Sequence, residues 1–213
     1  MDEAAASARQ SDPGGSRNYP KGERRRAQII EAAFTAFGTV GYRNASMVRL
    51  AAACGVSRAG LLHHFPTKES LLAAVLEQRE RQDDERFFQA GEAARDGLEY
   101  FASMIRLVAH NQANPGIVSL FAVLSSEASA PDHPAHPYFV ARYQRARRAM
   151  RSAVDDLARR QLLRPHVDPE GLPVDLIALI DGLQIQWLLD PHAIDMPERL
   201  RARLRDIISV ELP

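Results

Sequence analysis

The sequence is poor in cysteine and in long apolar runs. Cys54 is the one cysteine among 213 residues, so an internal disulfide is excluded and a reducing compartment is expected. No apolar run approaches the roughly 20 residues that span a bilayer. The first 18 residues also lack the apolar stretch of a signal peptide. We therefore expect a protein of the cytoplasm.

The usual signatures of catalysis are also missing. The sequence has no glycine-rich phosphate loop, no nucleophile elbow and no paired Glu-x-x-His motif of a di-iron bundle. Two pairs of histidines are candidate metal ligands. The side chains of His63 and His64, which are adjacent, point about 100° apart on a helix and would chelate a metal poorly. His133 and His136 lie with Asp132 in a proline-rich loop. We predict no metal, no cofactor and no enzyme activity, with a helical-bundle enzyme as an alternative.

The net charge is zero, but its distribution along the chain is uneven. Residues 17–81 carry 11 Lys or Arg against 5 Asp or Glu, a net charge of +6. Residues 1–16 carry −2 and residues 82–213 carry −4. Basic side chains release counterions from DNA and supply most of its non-specific affinity. The first part of the chain is therefore expected to meet nucleic acid.

The segment 46–68 has the pattern of two short helices separated by a tight turn. Leu50 and Leu61 are apolar at positions that face one small core, and Ala51 is small where the two helices cross. Gly55 lies where the backbone turns with positive φ, which glycine tolerates best. This spacing is typical of a helix-turn-helix, whose second helix can enter the DNA major groove.

The remaining chain has helical rather than alternating periodicity, which predicts an all-α fold. A first helix is expected over residues 21–39, and a long charged helix over 67–88 connects the two halves. We divide the chain into a disordered tail at 1–18, a three-helix helix-turn-helix DNA-binding domain at 19–66, and a helical C-terminal domain at 67–213.

The last two helices predict a homodimer. The penultimate helix, GLPVDLIALIDGLQIQWLLD, is apolar all round and must be buried all round. One side can meet its own bundle and the other a second subunit, so that two helices per subunit form a four-helix bundle. A monomer with this helix at its centre is the alternative. The predicted interface residues are Leu176, Leu179, Leu183, Leu204, Ile207 and Ile208.

Residues 24–75 resemble the TetR family of bacterial transcriptional regulators. The most specific matches to the family's motif are Ser57, Gly60, Leu61, His64, Phe65, Lys68, Glu69 and Leu71. The segment 181–191 is similar to one found in a branch of the family. Leu62 is a departure, because the family usually has a phosphate-binding tyrosine there. The contact is then lost or passes to His63 or Arg58, and Leu62 can instead touch a thymine methyl.

The resemblance implies a ligand-responsive repressor that binds a palindromic double-stranded DNA operator as a homodimer. It also assigns small-molecule binding and dimerisation to residues 67–213. We expect an apolar or aromatic inducer, because no cluster of charged residues in the sequence marks a strongly charged one. A ligand-independent architectural DNA-binding protein is the alternative within DNA binding.

The resemblance also indicates which residues meet DNA. By position they are Tyr42, Arg43, Ser46, Arg49, Ser57, Arg58, Ala59, Gly60, Leu62, His63, His64 and Lys68. Arg58 is the predicted base reader, since arginine can bind guanine O6 and N7 through two hydrogen bonds. Lys68 is predicted to pair with a phosphate at the start of its helix, and Tyr42 and Arg43 to reach phosphates. His64 has an alternative role as an internal strut.

Seven residues are predicted to line the inducer pocket. Each is bulky or polar on an otherwise apolar helix, and plain core packing is the alternative for each of them. They are Tyr100, Phe101, Met104, His110, Phe121, Gln184 and Trp187.

Overall fold

The computed structural model describes residues 21–88 and 96–213. The predicted tail at 1–18 lies outside the described residues. Within them the chain forms α-helices joined by loops, and the predicted all-α fold class is confirmed. The helices are α1 Lys21–Asn44, α2 Met47–Ala53, α3 Arg58–His64, α4 Lys68–Phe87, α5 Gly97–Gln112, α6 Pro115–Glu127, α7 His136–Arg159, α8 Leu172–Leu189 and α9 Met196–Ile207.

Side-chain caps determine where the short helices begin. The hydroxyls of Ser46 and Ser57 each accept a hydrogen bond from the main-chain N–H three residues later, at 3.2 Å and 3.0 Å. Thr67 and Ser70 form a reciprocal capping box at the start of α4. These bonds satisfy N–H groups that a helix start leaves unpaired, and they fix the ends of α2, α3 and α4.

The first helix extends beyond its predicted end, past a break at Gly41. Gly41 has a φ of +76°, a conformation that glycine adopts with little strain. A Cβ at this position would clash with the carboxylate of Glu127, which fills the space instead. This carboxylate accepts a hydrogen bond from the Tyr42 N–H at 2.8 Å. The last turn of α1 is therefore attached to the end of α6.

The buried apolar side chains form two cores. The first joins α1 to α4 with α6 and the beginning of α7, and it contains Phe37, Leu61 and Leu120. The second joins α5, Val118 of α6, the later part of α7, α8 and α9, and it contains Phe101 and Trp187. The helix α6 therefore contributes to the first core, although it lies far inside the predicted C-terminal domain.

The backbones of α1 and α6 approach each other at two glycines. A Cβ on Gly38 would lie 3.2 Å from both Gly116 O and Leu120 N, and one on Gly116 would lie 3.3 Å from the Phe34 ring. The Ser119 hydroxyl donates a hydrogen bond to the Gly38 carbonyl across the same crossing. Contact between the DNA-binding helices and the C-terminal half is thus concentrated on α6.

The apolar helix α8 is buried on one side only. By length and composition it is the one helix in the described ranges that could cross a membrane, with a mean hydropathy of 1.4. Only 28% of it is buried. Leu176 and Leu183 pack into the second core, whereas Val174, Ile185 and Leu189 are 56%, 55% and 82% exposed. One apolar face of α8 is therefore uncovered in the single chain.

Candidate functional site

The helices α2 and α3 form the predicted helix-turn-helix. Gly55 in the turn has a φ of +64°, and a Cβ there would meet no atom within 4 Å, so conformation rather than crowding favours glycine. The Val56 N–H donates to Ala51 O at 3.0 Å and closes the turn. Ala51 and Leu61 are buried where the helices meet. The roles predicted for Gly55, Ala51 and Leu61 match this geometry.

Most of the predicted DNA-binding residues lie on or next to α2 and α3 and are accessible to solvent. Guanidinium, hydroxyl and imidazole groups lie there beside the small residues Ala59 and Gly60, and this combination is suited to phosphates and base edges. The exposed members are Arg43, Ser46, Arg49, Ser57, Arg58, Ala59 and His63. The partly exposed members are Gly60, Leu62 and His64.

Tyr42 is buried behind this surface. Its hydroxyl donates a hydrogen bond to Glu69 Oε1 at 2.6 Å, and its ring lies edge-on to His133 with 5.0 Å between centroids. Burial, together with the Glu69 carboxylate, raises the pKa of the Tyr42 hydroxyl. The predicted phosphate contact is corrected, because the hydroxyl is already bonded inside the protein. Tyr42 instead connects α1 to the loop between α6 and α7.

Lys68 is directed toward the end of α1. Its Nζ donates to Tyr42 O at 2.7 Å and to Ala45 O at 2.8 Å, and it lies 4.2 Å from the centroid of the Tyr42 ring. Carbonyl groups at a helix C-terminus attract a cation in this way. The predicted phosphate contact is corrected here too, since binding a phosphate would cost these bonds. Lys68 positions the segment that leads into α2.

A cavity of about 320 Å³ lies between α4, α5, α6, α7 and α8. Its volume is at the lower end of the range of about 300–1,000 Å³ that holds small molecules. Aromatic rings line much of its wall, and they belong to Phe88, Tyr100, Phe121, Phe139 and Tyr143. Charged groups also line it, and they belong to Glu80, Asp83, Asp84, Arg142, Arg145 and Asp181. The cavity is therefore both aromatic and charged.

The structure separates the predicted pocket residues into two groups. Tyr100, Met104, Phe121 and Gln184 line the cavity. Phe101 and Trp187 are buried in the second core, because their helices turn them toward other core residues rather than toward the cavity. His110 lines a different opening, beside α1 and α4, and its Nδ1 lies 3.3 Å from Asn114 Nδ2. The prediction is corrected for Phe101, His110 and Trp187.

The charged groups of the cavity were not predicted from the sequence. Asp181 lies on α8 and accepts a hydrogen bond from the Tyr143 hydroxyl at 2.8 Å. Burial raises the pKa of Asp181, and burial together with this carboxylate raises the pKa of Tyr143 to about 12. The sequence did contain one signal, a carboxylate in the middle of an apolar helix. Such a group needs a polar partner when it is buried.

A buried ion pair borders the cavity on α4. Arg79 and Asp83 lie one helical turn apart, and their side chains are almost fully buried. Burial raises the pKa of Asp83, although the charges of Arg79 and Arg142 oppose this shift. The pair is costly to break, because removing one partner leaves the other charge buried and uncompensated.

Five of the six predicted dimer-interface residues are packed inside the single chain. Leu176, Leu183, Leu204, Ile207 and Ile208 are buried in the second core, and only Leu179 is partly exposed. The prediction is corrected at these five positions, because α8 and α9 direct them toward α5 and α7. The uncovered stripe on α8 consists of Val174, Ala178, Ile185 and Leu189, which are spaced by whole helical turns.

Two family models match the chain in its two halves. The model of bacterial regulatory proteins of the tetR family covers residues 29–75, from α1 into α4. The model of the C-terminal region of BetI-type transcriptional repressors covers residues 107–213, which is half of the sequence. The chain belongs to the TetR family. It is therefore a DNA-binding transcriptional regulator, and the helix-turn-helix is its DNA-binding element.

Two relatives of this TetR-family regulator align over most of its length, and a third aligns over about a third of it. PksA of Bacillus subtilis is 25% identical over 191 residues, 88% of this chain and 90% of that protein. BetI of Escherichia coli is 28% identical over 196 residues, 89% of this chain and 94% of that protein. A transcriptional repressor of Mycobacterium tuberculosis is 40% identical over 74 residues, which are 35% of this chain and 36% of that repressor.

Solved structures share the fold of this TetR-family regulator. A transcriptional regulator of Saccharomonospora viridis in complex with choline has a TM-score of 0.69 at 21% identity, over 87% of this chain and 98% of that chain. The complex of SmeT with triclosan has a TM-score of 0.72 at 21% identity, over 87% and 92%. SmeT is the repressor of a multidrug efflux pump of Stenotrophomonas maltophilia. At this identity the likeness concerns the fold.

Proposed function

We propose that this regulator is a repressor that binds a palindromic operator as a homodimer and leaves it when a small molecule fills the cavity. The observation that carries the proposal is the exposed face of α3. A turn at Gly55 and a cap at Ser57 hold this helix, and Arg58 stands at its start. Membership of the TetR family supports DNA binding, and the cavity supports a response to a ligand.

The first turn of α3 is suited to reading bases. In a helix-turn-helix this part of the second helix reaches the base edges of the major groove. The exposed guanidinium of Arg58 can bind guanine through two hydrogen bonds, while Ala59 and Leu62 offer apolar contact to thymine methyl groups. Arg43 and Arg49 lie nearby and suit backbone phosphates.

The uncovered stripe on α8 supports the homodimer. A two-fold axis lets the same apolar surface on two subunits cover itself. We place α8 of both subunits, with α9 beside each, in a four-helix bundle. This contact would cover the exposed side chains of Ile185 and Leu189 without a membrane. The repressor would then act in the cytoplasm, where its operator is found.

The helix α6 supports communication between the cavity and DNA. Phe121 and Ser125 line the cavity, while Gly116 and Glu127 on the same helix contact α1. A ligand that shifts α6 would move α1 and the recognition helices with it, which changes their spacing in a dimer. Two proteins of the same fold were solved with choline and with triclosan, which supports a small-molecule site in this fold.

The test is selection of binding sites from random DNA duplexes by the full-length protein. We expect the recovered sites to share one palindrome and to bind one dimer, as measured by fluorescence anisotropy and analytical ultracentrifugation. Equal affinity for unrelated duplexes would contradict the proposal and favour the architectural DNA-binding alternative. If the protein stayed bound to the selected DNA in the presence of every ligand that fills the cavity, this result would contradict the proposed response to an inducer.

A further inference from the structure

We propose that the cavity takes an organic cation, namely an apolar or aromatic molecule that carries a protonated amine. This inference rests on the proposed function, because it names the chemical class of the inducer. It replaces the expectation of an inducer without strong charge. The sequence did not reveal the charged cluster, because its members come from α4, α7 and α8 and are far apart along the chain.

Carboxylates outnumber guanidinium groups on the cavity wall. The carboxylates are Glu80, Asp83, Asp84 and Asp181, and the guanidinium groups are Arg142 and Arg145. Two of the carboxylates are neutralised locally, because Asp83 pairs with Arg79 and Glu80 pairs with Arg145. These two ion pairs leave two carboxylates and one guanidinium group to face the ligand.

Arg142 carries the remaining guanidinium, and its positive charge acts on both Asp84 and Asp181. In the described parts of the chain, no Lys, Arg or His nitrogen lies within 4.0 Å of either carboxylate. Burial raises the pKa of both carboxyls, and the positive charge of Arg142 opposes this shift. The Arg142 guanidinium lies over the Phe121 ring, 4.4 Å from its centroid, instead of forming an ion pair. One further positive charge would balance this set.

Hydrogen-bond acceptors on the wall favour a ligand that brings N–H donors. Asn111 Oδ1 is buried and has no hydrogen-bond partner among the described residues. Asp181 accepts one hydrogen bond, from Tyr143, and its carboxylate has capacity for more. A protonated amine brings N–H donors that either acceptor can bind, whereas a carboxylate ligand would leave Asn111 Oδ1 unpaired and would be repelled by Asp181.

The aromatic wall suits the same ligand. The faces of aromatic rings attract cations, most strongly where water is excluded. The placement of Arg142 over Phe121 is an example of this attraction inside the cavity itself. The rings of Tyr100, Phe139 and Tyr143 would also bury the apolar body of a ligand. Charge, donors and apolar surface thus select one class, an amphipathic amine.

The first experiment compares ligands of one shape that differ in their head group. Phenylbutylamine, phenylbutanol and phenylbutanoate, and the matching naphthyl series, are titrated into the full-length protein by calorimetry. We expect each amine to bind about tenfold more tightly than its alcohol, with the carboxylates weakest, since a charged hydrogen-bonded pair contributes more than a neutral one. Equal or tighter binding of the alcohols or carboxylates, or no binding of either amine, would overturn the proposal.

The second experiment locates the charge that selects the amine. Asp181→Asn keeps an acceptor for the Tyr143 hydroxyl but removes the negative charge, so amine affinity should fall about tenfold while alcohol affinity stays unchanged. Asp175→Asn, an exposed position on the same helix outside the cavity, is the matched control and should change neither. Loss of equal size for amine and alcohol in Asp181→Asn would overturn the selection by charge.

Release of operator DNA is measured separately from binding of the amine. An amine that binds selectively and releases the operator supports both the ligand class and the proposed function. An amine that binds selectively but leaves the operator bound supports the ligand class and contradicts the proposed response. Failure of the inference and failure of the proposed function are therefore distinguishable.

Discussion

Arg58 is the residue on which sequence discrimination should depend most. It is exposed at the start of α3, so its replacement should remove the proposed base contact without disturbing the core. We expect Arg58→Ala to weaken operator binding by about 1–3 kcal/mol and to relax preference at one base pair. Anisotropy titrations with single-base operator variants measure this. Arg49→Ala is the control, and it should weaken all sequences alike. The same uniform loss in Arg58→Ala would reduce Arg58 to a phosphate contact.

Lys68 should behave as a structural residue. Its ammonium binds the carbonyl oxygens of Tyr42 and Ala45, and hydrogen bonds to charged groups contribute about 1.5–3 kcal/mol. We expect Lys68→Met to lower the free energy of unfolding by an amount in this range. The salt dependence of operator binding should keep its slope, because no phosphate contact is removed. Urea titration and affinity at several salt concentrations check the two parts. A reduced slope with unchanged stability would restore the phosphate contact.

We expect His133 to make the junction between α1 and the α6–α7 loop sensitive to pH. Its side chain is buried, and its Nδ1 accepts a hydrogen bond from the Ala135 N–H at 3.2 Å, which the protonated ring could not do. Burial lowers the pKa of His133, and the charge of Arg43 adds to this shift, although Glu127 and Asp132 oppose it. The neutral ring is therefore the form that fits the fold.

The free energy of unfolding should fall as the pH decreases through the range where His133 is neutral only in the folded state. In that range, below about 6.5, the unfolded chain binds more protons than the folded one. His133→Asn keeps an acceptor for Ala135 and should lose part of this pH dependence. Urea titrations at about pH 5.5 and about pH 7.5 measure it. The exposed His192→Asn control should behave as the parent protein does, and identical curves for both variants would contradict the role of His133.

Residues whose partners are close in sequence were predictable, and those with distant partners were not. Ser46 and Ser57 cap helices through N–H groups three residues away. Glycine is favoured at position 55 by the positive φ of that residue alone. Lys68 and Tyr42 look like surface groups in the sequence, because their contacts join segments 26 residues apart. The motif predicts that Lys68 and Tyr42 are functionally important positions, but tertiary packing decides which groups their side chains contact.

The helix α8 carries the prediction about assembly. Ile185 and Leu189 lie on its uncovered stripe, so replacing both with glutamate should give a folded monomer, because a buried pair of unpartnered carboxylates would oppose dimerisation. Leu183→Glu should unfold the chain instead, since Leu183 is buried in the second core. Val210→Glu, exposed and outside the stripe, is the control. Sedimentation and circular dichroism distinguish these cases, and a stable dimer of the double variant would rule out this face.

The sequence predicted the position and length of α8 but not its orientation. Its residues are apolar nearly all round, so hydrophobic periodicity offers no face to choose. Contacts with α6, α7 and α9 decide that Leu176 and Leu183 point inward and that Ile185 points outward. By contrast, α1 has a clear apolar face, and Ile29, Ala33 and Phe37 are buried along it.

At the scale of the whole molecule, α6 is shared between the two functions. It completes the first core, lines the cavity with Phe121 and Ser125, and touches α1 through Gly116 and Glu127. The sequence indicated two functional halves, because the motif and the charge lie in the first and the apolar helices in the second. It could not show that one helix of the second half packs with the first, since that contact depends on a crossing of distant segments.

The glycine crossing of α1 and α6 also shapes the genetics of this regulator. A larger side chain at Gly38 or Gly116 would alter neither the DNA-reading surface nor the cavity wall, because neither glycine belongs to them. Because the proposed signal from the cavity passes from α6 to α1 at this crossing, we expect such an allele to change how strongly the regulated genes respond to inducer.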